Sequence, residues 1–500
     1  MNLFDAIERQ AAATPHCPAL IAGPLLLSYQ RLLEFTAGTA QRLRAAGIGP
    51  GDVVVVRNRT PVANLLLVLA ALRVGAVSAH APEGEELAPV LQRYGARALL
   101  GAADLLPAAG QHPGLAVLDE QALLAPPPND AAPFASHAGD AERPWRIASS
   151  SGTTGVPKAC LWSHGASDRN MGHALRHIAP FVPADRVLCF QSVATNFGLH
   201  FALWTLACGA ALVLPKSWEA AELALCLDVN GPTAVVMPSG LAVAMVDWLQ
   251  QRGPAQGYRF PTLGHVIVGG EALSPHVLQG LRTRVCPRVH LNYGCTEAGL
   301  VASADADFLL QHPEISNRLL PGTQAEALGA DGTVLPPGQT GLLRIRVPGM
   351  ASGYLGDAAL TAAGFGDGWY HTGDTGSVTA DGLLTLGVRA SEMLDLDGRR
   401  IDPLPIEGIV NRHPGVRESA VFVLAGEAGA RLACLYTADQ ALQPEALARA
   451  CEQHLGAGSA PQFWVRVTEI PRAASGKISR SDLARRHRQA ADGSLLVRQE

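Results

Sequence analysis

One short stretch of the chain, Ser149-Ser150-Ser151-Gly152-Thr153-Thr154-Gly155-Val156-Pro157-Lys158, gathers hydroxyls, two glycines and a lysine. A loop of that make-up can wrap a polyphosphate. Gly152 and Gly155 allow φ > 0 and close backbone approach, while hydroxyls, backbone N–H groups and the Lys158 ammonium all donate toward anionic oxygens. The Walker spacing G-x-x-x-x-G-K-[ST] is absent and Lys158 follows a proline, so a mononucleotide-kinase fold is not implied. Read by composition alone, the cluster is also compatible with a flexible surface turn. Its flanks favour a held loop: the apolar steps Trp145 to Ala148 and Ala159 to Trp162 predict strands on either side.

Three further polar islands carry chemistry. Asn292-Tyr293-Gly294-Cys295-Thr296-Glu297 follows a predicted strand, Arg288 to Leu291, at the kind of strand end where open α/β sheets bind ligands. Glu297 could hold Mg²⁺ and Thr296 could donate to a phosphate; a turn leading into an acidic helix start is the alternative. Trp369-Tyr370-His371-Thr372-Gly373-Asp374 ends in a carboxylate suited to a sugar diol, or marks a hairpin turn. Pro471 to Arg480 places Lys477 on a Gly-containing loop, where lysines are ordinarily solvated.

The elements that must position these islands follow from pattern. The chain has 500 residues, 48% hydrophobic and 17% charged, enough for several buried cores and roughly two to four domains or subdomains. A formal net charge of −5 gives no electrostatic footprint for nucleic acid. Nine cysteines form no C-x-x-C pair, which argues against structural zinc and a disulfide framework and for a reducing cytoplasm. The N-terminus shows no secretion signal, and the most apolar stretch, Val62 to Leu72, is too short for a membrane span and predicts a buried helix. From about residue 50 to 390, runs such as Val53 to Val56, Ala211 to Leu214, Ala234 to Met237 and His265 to Val268 alternate with helical patterns, which predicts a layered α/β fold. Patches at 125–139 and 328–341 predict loops or turns. Beyond Gly387 the texture changes, with strands predicted near 419–424 and 431–436 and a helix near 444–454, a separate unit of about a hundred residues.

The ordered set SSSGTTGVPK, GGEAL (Gly269 to Leu273), NYGCTE, WYHTGD, GVRASEMLDLDGRRID (Gly387 to Asp402) and PRAASGK resembles the adenylate-forming, or AMP-binding, superfamily of acyl- and aryl-CoA synthetases, peptide-synthetase adenylation domains and luciferases. The likeness runs over most of the chain. It implies a large N-terminal domain of α/β subdomains plus a β-subdomain (1–388), a hinge (389–391, with Ser391 at its centre) and a small mobile α+β C-terminal domain (392–500). It implies ATP and Mg²⁺, with CoA or phosphopantetheine as thiol acceptor. Ser151, Gly152, Thr153, Thr154, Gly155 and Lys158 would hold the β- and γ-phosphates; Thr296 would contact the α-phosphate and Glu297 the metal. Asp374 and Arg389 would hold the ribose, and Gly270, Glu271, Ala272, Asn292, Tyr293 and Gly294 would complete the nucleotide site. Lys477 would be the mobile cation bridging the acid and the α-phosphate. The acid pocket would draw on Asn196, Phe197, His200, Gly269 and Cys295.

Departures from the family pattern are Ala159 where glycine is usual, Ser391 where aspartate or lysine is usual, and Asp395 and Asp397, which would not attract a CoA phosphate. Asn196 aligns where amino-acid-activating relatives carry an aspartate for the substrate ammonium. A neutral amide there disfavours α-amino acids and points to an aryl or short acyl acid. Phe197, His200, Phe201 and Trp204 would shorten the pocket, although helix packing also accounts for Phe201 and Trp204, and His200 reads either as a ligand to a ring hydroxyl or as a satisfied core histidine. The expected activity is formation of an acyl-AMP with pyrophosphate release, then transfer to a thiol, with a small carboxylic acid as substrate. A discrete acyl or peptidyl carrier protein acting in trans is a candidate partner. An amino-acid adenylation enzyme is the alternative in the same fold; a luciferase-like monooxygenase or a non-catalytic AMP-binding sensor makes a second functional class, the sensor being disfavoured by intact Lys477 and Glu297.

Overall fold

The structure, a computed structural model, describes residues 2–81, 86–107, 111–126, 134–150, 157–178, 180–252, 258–424, 429–438, 440, 442–472, 477–489 and 495–497. Two sheets form the large N-terminal part. The smaller has seven strands with a parallel centre: Val53–Arg57 (β1) pairs with Val77–His80 (β2), and β2 pairs in turn with Pro144–Ser150 (β3). Strand β3 then meets Lys158–Ser163 (β4) in antiparallel register, Ser150 opposite Lys158. The Ser/Gly/Thr run therefore connects two adjacent strands.

The helix Pro61–Val74 (α1) follows β1 and is buried at every position except the half-buried Val62. Proline in its first turn leaves no orphan N–H there, and Gly75, left-handed at φ 81°, ends it. Each of its fully buried leucines, such as Leu65, Leu67 and Leu69, is worth about 2 kcal/mol of transfer free energy. They pack in one cluster with Val54 and Val56 of the smaller sheet and Leu212 of the larger one, so the two sheets share a core.

His164–Ile178 (α2) follows β4, and Asn196–Ala207 (α3) contributes Leu199, Ala202 and Leu203 to that shared core. The larger sheet has 14 strands. Its parallel part includes Ala234–Pro238 (β5), His265–Gly269 (β6) and Val289–Cys295 (β7). From β7 onward the pairing is antiparallel through Gly299–Asp305 (β8) to Trp369–Val378 (β9) and Leu383–Arg389 (β10). The island Asn292 to Cys295 thus lies inside β7, and Thr296 to Ala298 make the turn into β8; no helix starts there. Likewise Trp369 to Asp374 lies in a ten-residue strand rather than in a turn.

The C-terminal part is a smaller α+β unit. Pro403–Arg412 (α4) and Pro444–Leu455 (α5) pack with Val416–Leu424 (β11) and Arg431–Ala438 (β12), and β12 pairs in parallel with Phe463–Arg466 (β13). Among the described residues no helix is long and apolar enough to cross a membrane.

Candidate functional site

Strand β7 delivers Asn292, Tyr293, Gly294 and Cys295, and its parallel pairing with β6 sets Gly269 beside Asn292. The turn after β7 presents Glu297, 3% exposed. Its Oε1 accepts from Ser150 Oγ at 3.0 Å and from the Tyr354 hydroxyl at 3.1 Å. Burial and the neighbouring Glu297 push the Tyr354 hydroxyl well above its usual range, so it stays protonated and donates. The Thr296 carbonyl is fixed by Trp162 Nε1 at 2.9 Å.

Antiparallel pairing of β9 and β10 places Asp374 opposite Arg389, and Arg389 Nε donates to Asp374 Oδ1 at 3.1 Å. The Tyr293 hydroxyl donates to the other oxygen, Oδ2, at 2.5 Å. Asp374 is therefore aimed by three strands. A cavity of about 240 Å³ joins these groups, with Ser150, Lys158, Glu297, Thr372, Arg389 and Ser391 on its wall. The Lys158 ammonium lies 5.4 Å from the centre of the Tyr354 ring.

Among the described residues no cation pairs with Glu297, and no cluster of three or more His, Cys, Asp or Glu could hold a metal. A divalent ion at Glu297 would take its remaining oxygens from a ligand, which is how Mg²⁺ binds with phosphate-bearing substrates, so the residues present fit that ion. Ser151, Gly152, Thr153, Thr154 and Gly155 lie outside the described residues.

A second group of candidates heads helix α3. Thr195 caps it, its Oγ1 accepting from the Gly198 N–H at 3.1 Å, and this sets Asn196 and Phe197 at the first turn. Phe197 meets Phe201 edge-on at 4.9 Å and fills the space over Gly269, where a Cβ would come within 2.8 Å of the ring. Asn196 Oδ1 and both polar atoms of the Asn292 amide have no partner although the residues are 7% and 4% exposed. An unpaired buried polar group costs about 1–3 kcal/mol, so each of these amides keeps hydrogen-bonding capacity that the chain itself does not use. His200 differs: Trp145 Nε1 donates to Ser167 Oγ at 2.9 Å, leaving the hydroxyl proton for His200 Nε2 at 3.2 Å. Burial, helped by Arg146, drives His200 down to about 3, so it is neutral. It also packs on Trp162 at 5.1 Å. The thiol of the half-buried Cys295 is pushed far above its usual range, chiefly by desolvation.

Glu271 faces the C-terminal unit. Its carboxylate accepts from Arg472 Nη1 at 3.0 Å and from the Ile478 backbone N–H at 3.1 and 3.2 Å. Arg472 also pairs with Glu418, and Arg417 Nη1 reaches Asp247 at 3.1 Å. Gly270, at φ +125°, makes the turn that presents Glu271, and a Cβ there would meet Ser239 Oγ at 2.9 Å. Lys477, adjacent to Ile478, is exposed and does not line the 240 Å³ cavity. Sequence reasoning missed Ser150, Tyr354 and Arg472 as participants; Ser150 and Arg472 fall inside recognised motifs, whereas Tyr354 carries no local signal.

Two family models match: "AMP-binding enzyme" over residues 7–355 and "AMP-binding enzyme C-terminal domain" over residues 405–477. The chain belongs to the AMP-binding enzyme family. This AMP-binding enzyme is 27% identical to surfactin synthase subunit 2 of Bacillus subtilis over 99% of its length, but spans only 14% of that relative. It is 25% identical to the fatty acid–[acyl-carrier-protein] ligase ScoC of Streptomyces coeruleorubidus, covering 96% of each chain. In fold it is similar to a benzoate CoA ligase from Burkholderia xenovorans, with a TM-score of 0.84, 21% identity and coverage of 97% and 100% of the two chains.

Proposed function

We propose that the protein activates a carboxylic acid lacking an α-amine, an aryl or short acyl acid, as its acyl-adenylate and then passes the acyl group to a thiol. In the first step a carboxylate oxygen bonds to the α-phosphorus of ATP and the bond to pyrophosphate breaks. In the second a thiolate attacks the acyl carbon and AMP leaves. The observation that carries the reading is Glu297, a buried carboxylate with two neutral hydroxyl partners on the wall of a cavity shared with Lys158 and Arg389.

Glu297 would hold Mg²⁺, which when bound neutralises phosphate charge that would otherwise repel the incoming carboxylate. Lys158 would meet the phosphate end that leaves, and Thr296 the α-phosphate. Asp374, aimed by Tyr293 and Arg389, would accept from the ribose hydroxyls, while Gly270 to Ala272, Asn292 and Gly294 would border the base. Lys477 would bring a cation to the reacting carboxylate and withdraw as the C-terminal unit turns about residues 389–391. Gly269, Cys295, Phe197 and Asn196 would border the acid. A substrate ammonium at Asn196 would find a neutral amide instead of a carboxylate, which disfavours α-amino acids.

The acceptor is CoA or the phosphopantetheine of a carrier protein; both classes occur among relatives, in an indoleacetate–CoA ligase and the ScoC acyl-carrier-protein ligase. The nine cysteines are free thiols, in keeping with a cytoplasmic setting. Likeness to CymA of Salinispora arenicola, a probable non-canonical nonribosomal peptide synthetase, supports the second reading, amino-acid activation. ATP–pyrophosphate exchange with a panel of aryl, acyl and amino acids tests the choice: exchange with the first two supports it, and exchange with amino acids alone replaces it.

A further inference from the structure

Among the described residues, Arg146 is a buried charge without a carboxylate partner. It lies on β3 between Ser78 of β2 and Trp162 of β4, and is 1% exposed. Its Nη1 contacts His80 Nδ1 at 2.7 Å and its Nη2 donates to the Ala194 carbonyl at 2.6 Å; its Nε–H has no partner. Among the described residues no carboxylate pairs with it. Burial lowers its pKa only to about 10, which leaves a full positive charge at neutral pH. An isolated charge in such a place costs several kcal/mol unless an anion accompanies it.

The neighbours accept hydrogen bonds but bring no carboxylate: the Ala194 carbonyl and His80 Nδ1 take Nη2 and Nη1, and the Tyr94 phenol lies close enough to act on the charge. His80 uses Nδ1 toward Arg146, so its proton sits on Nε2, which is buried and unpaired, the residue being 8% exposed. Burial and Arg146 hold this ring far below its usual range, so it contributes an N–H and no charge. The Ala194 carbonyl lies two residues before Asn196, so the guanidinium stands against the positive end of α3, where a cation is unwelcome and an anion is favoured. Asn196 and His200, from the first two turns of the same helix, tie this spot to the region where the acid is proposed to bind, and His200 is close enough to feel the Arg146 charge.

We propose that Arg146 and His80 form a subsite for a second anionic group on the substrate, which makes the preferred acid a dicarboxylic acid or another acid carrying a second negative group. This rests on the acid-activation reading above. The guanidinium would give its free Nε–H to the distal carboxylate, with neutral His80 holding its Nη1 from the other side, while the proximal carboxylate reacts. A positive subsite beside Asn196 also repels an α-ammonium.

The test uses acids in matched pairs, such as succinate with butyrate and phthalate with benzoate, in pyrophosphate exchange with the full chain and its Arg146→Gln, Arg146→Lys and His80→Phe variants. The proposal predicts that the wild type prefers one diacid over its monoacid partner, and that Arg146→Gln lowers kcat/KM for it on the order of 100-fold more than for that partner. Arg146→Lys restores part of the difference. Thermal unfolding gives a readout apart from turnover and from loss of fold: the diacid raises Tm of the wild type and not of Arg146→Gln. Exchange with monoacids alone, or equal loss on both members of each pair, overturns the subsite and leaves acid activation standing. Stabilisation by inorganic phosphate or acetate equal to that by the diacid assigns the charge to a free anion and overturns it too. Absence of exchange with any acid overturns the parent reading instead.

Discussion

Glu271 is predicted to hold the lysine-bearing loop in place for the first half-reaction. Its carboxylate takes one charged hydrogen bond from Arg472 and one from the Ile478 N–H, the residue next to Lys477, and the side chains of Glu271 and Arg472 are 27% and 17% exposed. A hydrogen bond to a charged group in such a setting is worth about 1.5–3 kcal/mol, and Arg472 keeps Glu418 as a partner when Glu271 is lost. Glu271→Ala should therefore weaken docking of the C-terminal unit by roughly 2–4 kcal/mol, a depopulation of about 30- to 1000-fold at 1.4 kcal/mol per decade. Glu271→Gln retains a neutral acceptor for Ile478 and should lose about half as much. The assay separates the half-reactions: pyrophosphate release from ATP and acid reports the first, and thiol consumption of supplied acyl-adenylate reports the second. The first should fall with docking, with Ala below Gln below wild type, and the second should fall far less. Equal loss in both steps, or no loss in either, would mean that Glu271 does not set the pose of the lysine-bearing loop.

Four other outcomes follow from the same geometry. Glu297→Gln, which keeps the Ser150 and Tyr354 contacts but removes the charge, should lower pyrophosphate exchange by about 100- to 1000-fold and raise the Mg²⁺ concentration needed for half-maximal rate. Asn196→Ala removes an unpaired buried acceptor, so Tm should hold or rise while kcat/KM for the acid falls. Gly269→Ala drives a methyl group toward the Phe197 ring and should cost about 1–3 kcal/mol in urea unfolding while excluding the bulkiest acids accepted by the wild type. His164 and His290 at about 4 and His200 at about 3 sit below the unfolded value of 6.5, so each contributes stability that is complete above pH 6.5 and is lost as pH falls toward 4, or toward 3 for His200, at about 1.4 kcal/mol per unit per ring. Tm should drop over that window, and His200→Phe should flatten the drop.

The elements with strong local patterning were legible in the sequence. The valine run at 53–56, the apolar strands at 234–237 and 265–268 and the helix inside 62–72 are specified by short-range hydrophobic order, and each recurs in the fold within a few residues. Polar islands were harder. Asn292 to Cys295 and Trp369 to Asp374 carry turn-forming residues yet lie in strands, because pairing with Gly299–Asp305 and Leu383–Arg389 overrides local preference. The contact between Ser150 and Glu297 spans 147 residues, and that between Tyr293 and Asp374 spans 81, so neither leaves a trace in local spacing. Arg146 was hidden for another reason: one arginine in an apolar strand reads as an edge residue until its burial is known.

The proposed activity joins an acid without an α-amine to AMP, and it is read out by incubating the protein with ATP, Mg²⁺ and single acids, without any thiol, and weighing the products. The account predicts an acyl-adenylate from an aryl or short acyl acid with one pyrophosphate released per adenylate. Aminoacyl-adenylates alone, or AMP and pyrophosphate formed at the same rate with and without acid, would contradict it.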